Sequence, residues 1–260
     1  MRWSAVAAAA IAFSFSFVAP VSAAADDQAV LDAAMESFNE RMVEAGWVSQ
    51  GPSDDAFGSA DDEPSQNDEA MNACFGDLGA IFEGLDQDEF PGEIARSSSD
   101  RFTFTPSTAE SSTTESIMFF PAEEEIAALA LSVDDAHVEF IGEFLDVFGA
   151  KETSDCMKAA LEAEMAPDTD GTDAMEIALE FDVQAATQSD LSVGDHSALL
   201  TFGISVNMFG APIDLAGTVA IASVDNHVVG VMHSTSGAAD LTSEFDPIDE
   251  LRALVDSIGS

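Results

Sequence analysis

Residues 177–231 constrain the fold of this chain most. Ile177, Leu179, Phe181 and Val183 alternate with Ala178, Glu180, Asp182 and Gln184. Leu200, Phe202, Ile204, Val206 and Met208 repeat the period, as do Ile213, Leu215, Val219 and Ile221, and Val229 with Val231 closes a fourth run. Successive side chains of a strand point to opposite faces, so each run has one buried and one wet face. The joins are short: "FGAP" at 209–212 and Asp225-Asn226, a good tight-hairpin pair. The pattern predicts a four-stranded antiparallel meander.

Upstream the period changes twice. Leu31, Met35, Phe38 and Met42 recur at helical spacing and predict a helix over 27–46, capped by Asp26 or Asp27. Met71, Cys74, Phe75, Leu78, Ile81, Phe82 and Leu85 predict a second helix over about 68–86, with Cys74 pointing into its apolar face. "DRFTFTP" and "SIMFF" (116–120) read as strands joined by a Ser/Thr loop, and "IAALALSV" (126–133) as a third. After Asp134-Asp135 the stripe Val138, Ile141, Phe144, Leu145, Phe148 predicts a helix that Gly149 stops. Thr153 or Ser154 is expected to cap a short helix carrying Cys156. Asp246 followed by Pro247 opens a final helix with Ile248, Leu251, Leu254, Val255 and Ile258 on one stripe. A sheet with one wet face and amphipathic helices on the other is an α+β sandwich of two layers.

Residues 1–25 read as a secretory signal: Arg2, an apolar run from Ala5 to Val18, then Pro20 and "VSAAA" before Asp26. The expected organisation is therefore a signal peptide over 1–25 and a single secreted domain over 26–260. A flexible acidic loop, "QGPSDDAFGSADDEPSQ", is expected over about 50–66. Export makes a disulfide the expected state of Cys74 and Cys156, the two cysteines of the chain. That bridge closes a loop of about 80 residues, worth about 4 kcal/mol on the chain-entropy model.

Charge narrows the partners. Fifty Asp and Glu face seven Lys and Arg, a formal charge of −43. Such a surface repels nucleic acid and anionic lipid and gathers cations diffusely. It fits a secreted protein from a saline habitat and equally an acidic one at ordinary salt. The chemistry-bearing patterns are few. There is no G-x-S-x-G, no G-x-G-x-x-G and no P-loop. His137 is expected at a helix edge and His196 in a loop, while His227 and His233 share strand parity with Val229 and Val231. With fifty acids some carboxylate pair always exists, so a glycosidase-like pair discriminates little. Around Gly171, Asp168 and Asp170 fall at positions three and five of an EF-hand loop. Ala166 and Ile177 occupy its first and last positions and cannot ligate. No catalytic, cofactor-binding or metal residue is assigned. Phe and Met opposite alanine could enclose a small apolar ligand, though a filled core is the commoner outcome.

The order "EIAALALSVDDAHVEFIGEFLDVFGAKETSDCMKAAL", the strands of 177–231 and "DPIDELRALVDSIG" resembles small exported actinobacterial domains. They are similar to the extracellular sensor domain of PknH-type kinases and related cell-wall lipoproteins. The resemblance spans about 115–260 and implies a binding or sensing role outside the cell, with no catalytic residue carried over. The expected function is a non-catalytic secreted domain that binds an unknown protein or small apolar ligand. A carboxylate hydrolase and a cation-stabilised structural protein are the alternatives.

Overall fold

The computed structural model describes residues 25–52, 73–76, 91–104, 123–164, 178–208, 211–237 and 245–259. Helix α1 (Ala25–Glu44) leads into strands β1 (Val48–Pro52), β2 (Glu93–Ser98), β3 (Asp100–Phe104) and β4 (Glu123–Val133). Helices α2 (Val138–Phe148) and α3 (Lys151–Glu164) follow. Then come β5 (Ala178–Thr187), the single turn α4 (Gln188–Leu191), β6 (His196–Met208), β7 (Ala211–Val224), β8 (His227–Gly237) and α5 (Pro247–Ile258).

The eight strands form one open antiparallel sheet in the order β1-β3-β4-β8-β7-β6-β5, with β2 also paired to β4. The meander β5-β6-β7-β8 expected from the alternation is there in chain order, and "IAALALSV" is the heart of the central strand β4. One edge of β4 is shared. β3 pairs with its first half and β2 with its second. Ser99, between them, holds the splice: its backbone N–H donates to the Ala128 carbonyl at 2.9 Å. Its Oγ accepts from the Ala128 N–H at 2.8 Å.

The α+β class and the antiparallel sheet are as expected, but helices lie on both faces rather than one. Leu129, Leu131, Leu200, Ile204 and Val219 point toward α2 and α3 and pack on Ile141, Phe144, Leu145 and Phe148. The opposite parity carries Ala128, Ala130, Ala220, Ala222, Val229 and Val231, which meet Leu31, Met35 and Phe38 of α1 and Leu251 and Leu254 of α5. On β7 the face read as wet thus carries Ala220 and Ala222, and Val229 and Val231, read as the buried run of β8, lie on this second face, opposite to that of Val219. Alanine sits comfortably on either side of a sheet, and here its small size lets two helices approach the strands.

Local signals account for the helix ends. Asp246 Oδ1 accepts from the Ile248 N–H at 2.8 Å, and Pro247 opens α5. The last helix thus begins where the sequence places it. α3 begins at Lys151, two residues before the expected cap. Thr153 Oγ1 instead donates to the Val147 carbonyl at 2.6 Å and pins α3 to the end of α2. Cys74 and Cys156 are bonded, with S–S 2.06 Å and Cα atoms 5.6 Å apart. Here burial departs from the helical-face reading. Cys156 is exposed and Cys74 half-buried, while its neighbour Phe75 is buried. Phe75 stacks on Phe144 and Phe148 at 6.3 Å each. The bridge therefore lies at the rim and delivers Phe75 to the core.

Gln50, Gly51 and Pro52, expected at the start of the acidic loop, belong instead to β1. The remainder of that segment lies outside the described residues. So do residues 1–24, most of the expected helix over 68–86, "SIMFF" and the Asp168–Asp173 turn.

Candidate functional site

Two helix ends and three strand ends converge on one box of side chains. α1 closes through Gly46, at φ +90°, with the Gly46 N–H on the Val43 carbonyl at 3.1 Å and the Trp47 N–H on the Met42 carbonyl at 3.0 Å. This paired C-terminal closure turns the chain sharply and drops Trp47 onto the sheet. Phe245 precedes the Asp246 cap of α5 and arrives from the other helix. Trp47 then lies 5.3 Å from Phe104, 5.6 Å from Phe245 and 6.4 Å from His233, between ring centroids. His233 and Phe245 are 5.0 Å apart. The last turn of α1 and the first of α5 are tied by Arg41 and Glu250 at 3.0 Å.

Against the rings sits a carboxyl group. Glu124 pairs across the sheet with Phe104 of β3 and Thr235 of β8. Strand alternation puts it on the same face as Ile126, and His233, two residues before Thr235, is its diagonal neighbour. His233 Nε2 and Glu124 Oε2 are 3.1 Å apart. The Glu124 side chain is 0% exposed and that of His233 14%. Among the described residues Glu124 Oε1 is buried with no hydrogen-bond partner. Buried polar atoms are almost always paired, and a lone oxygen of a carboxyl group is among the costlier exceptions. Burial pushes the His233 pKa down, and the hydrogen bond and charge of Glu124 offset only part of that. Phe104, His233 and Phe245 are each partly exposed, while Trp47 and Glu124 are buried.

A second feature lies at the opposite end of the sheet. Asp135, Val138, Asp195, His196, Ser223, Asp225 and Asn226 line an open cleft of about 510 Å³. The Asp225 N–H donates to Asp195 Oδ2 at 2.9 Å, so one carboxylate is already used in holding the β7–β8 turn. Asp225 at φ +51° is the left-handed residue of that turn. Among the described residues no three His, Cys, Asp or Glu side chains are grouped so as to hold a metal. Nearby, Ser132 Oγ and His227 Nε2, on paired residues of β4 and β8, are also buried without partners among the described residues.

The histidines separate by role. His137 precedes α2, and its Nδ1 lies 2.6 Å from Asp134 Oδ1. That hydrogen bond holds the Asp134 carboxyl below its ordinary value. His196 is the first residue of β6 and lies 4.0 Å from Asp146. Among the described residues His233 alone of the histidines meets a buried carboxyl. Its strand parity was visible in the sequence. Glu124 was not singled out among Glu123, Glu124 and Glu125, although its parity with Ile126, Ala128 and Ala130 marks it as inward. Trp47 and Phe245 carried no periodic signal because each is placed by a helix terminus.

No protein-family model matches the chain, and neither a curated protein nor a solved structure matches it significantly.

Proposed function

We propose that the protein is an exported, non-catalytic binding domain whose ligand site is the box of Trp47, Phe104, His233 and Phe245 over Glu124. The observation that carries this reading is the Glu124 oxygen left without a partner inside an aromatic wall. A ligand donor supplies what the fold withholds, and the rings supply apolar contact. Export is supported by the Cys74–Cys156 bridge and by the signal-like pattern of residues 1–25. Among the described residues no helix is long and apolar enough to cross a membrane. The polar partner of Glu124 is an imidazole rather than a second carboxyl, which favours binding over carboxylate-pair hydrolysis.

Trp47 is a built-in reporter. In the full chain carrying Trp3→Phe it becomes the single indole. Its emission should respond saturably to at least one class in a panel of small amines, carboxylates, sugars and short alcohols. Glu124→Gln should abolish that response. A panel in which no class gives a saturable, Glu124-dependent change would overturn the proposal.

A further inference from the structure

We propose that the box takes the ammonium head of a small organic amine, held by Glu124 Oε1 against the rings of Trp47, Phe104 and Phe245, and that acidification releases it. This rests on reading the box as a binding site, and adds the ligand class and its control by pH.

The missing partner must be a donor, because a carboxylate oxygen only accepts. A donor that also carries positive charge answers the carboxylate most fully. Burial favours the neutral form of His233, so at neutral pH the imidazole offers Glu124 a hydrogen bond but little counter-charge. The guanidinium of Arg41 is paired with Glu250 at 3.0 Å. A bare metal ion asks for several oxygen ligands, and the box adds aromatic faces instead. No described group of His, Cys, Asp and Glu could hold one. An ammonium head matches a lone carboxylate walled by rings, since Trp and Phe faces attract desolvated cations. The chain's charge of −43 raises the local concentration of any cation at its surface.

Release follows from His233. When it takes a proton, its imidazolium becomes the counter-charge of Glu124 at 3.1 Å, and an ammonium beside it is repelled. Among the described residues few other charges face the pair. Glu36, Glu40 and Glu44 of α1 and Asp249 and Asp256 of α5 are exposed. Arg41 and Glu250 neutralise one another. On β7 the partner of His233 is uncharged Thr218, and Asp214, two same-face positions further out, is exposed. β3 presents Phe104 opposite Glu124.

The test titrates the full Trp3→Phe chain with methylammonium chloride at constant ionic strength, following Trp47 emission from pH 5 to 8. Sodium and calcium chloride at matched ionic strength serve as controls. Methylammonium should give a saturable change that the salts do not. Its affinity should fall about tenfold per pH unit below the titration of His233, as one competing proton requires. Glu124→Gln, checked as folded by circular dichroism, should weaken binding at least tenfold. His233→Gln should bind at pH 7.5 and flatten the pH profile. The proposal is overturned if sodium chloride reproduces the titration, if Glu124→Gln binds like the parent, or if His233→Gln keeps the pH slope. It is also overturned if a carboxylate, sugar or alcohol titrates the box and methylammonium does not, an outcome that leaves the binding site itself standing. Silence from every class removes both.

Discussion

A carboxyl group taken wholly out of water forfeits hydration worth several kcal/mol, and Glu124 recovers only part of it through one imidazole. A structural ion pair and a waiting binding site respond oppositely to loss of this group. If Glu124 were the satisfied half of a structural pair, removing its charge would cost about 3–5 kcal/mol. As a half-satisfied ligand anchor it lowers stability, and Glu124→Gln should raise the unfolding free energy by about 1–2 kcal/mol at pH 7 in denaturant titrations. His233 makes a separate prediction. Its pKa in the fold lies below the ordinary 6.5 that the unfolded chain retains. As pH falls below 6.5, the unfolded state takes up the proton first. Stability linked to His233 is therefore full above 6.5 and is lost as pH falls through the folded value. His233→Gln should remove that component, read as a flatter dependence of the urea midpoint on pH between 5 and 7.

At the scale of elements, the bridge and the cross-strand packing each make a prediction. Replacing Cys74 and Cys156 with Ser opens a loop of 82 residues and should cost about 4 kcal/mol. It should also release Phe75 from the stack on Phe144 and Phe148, visible as lost near-ultraviolet circular dichroism. Phe202 lies over Gly217, its partner on β7, so closely that a Cβ there would come within 2.0 Å of the ring. Gly217→Ala should cost about 1–3 kcal/mol by displacing that ring from the α2 face, measured by thermal unfolding. These elements also show what the sequence made legible. β5 to β7 follow from alternation, β8 less clearly because Val228 and Met232 pack on one face and Val229 and Val231 on the other, and α2 and α5 follow from an apolar stripe with a stop or a cap. β1 and β2 were not anticipated, because "VSQGP" and "EIARSS" carry too few apolar residues to signal a strand; their order comes from pairing with β3 and β4. The second helical layer leaves no trace in the strand pattern because alanine marks neither face. The site escaped because it is assembled from helix ends and a diagonal pair, neither of which leaves a periodic trace.

At the scale of the whole molecule, self-repulsion acts on every element at once. With fifty acidic and seven basic residues, the folded chain concentrates like charge that the expanded chain spreads out. Raising sodium chloride from about 0.1 to 1 M shortens the screening length from about 10 to 3 Å. The melting temperature should rise by several degrees over that range, and potassium chloride should act equally, since the effect is screening rather than a bound ion. The same background makes constant ionic strength essential in judging the box. The most direct measurement is equilibrium unfolding of the full chain and its Glu124→Gln variant at pH 7.5 and fixed ionic strength, each with and without methylammonium. Without amine the variant should be the more stable of the two, and amine should stabilise only the parent. A variant less stable by about 3–5 kcal/mol, with neither protein responding to amine, would contradict this and make Glu124–His233 a structural pair.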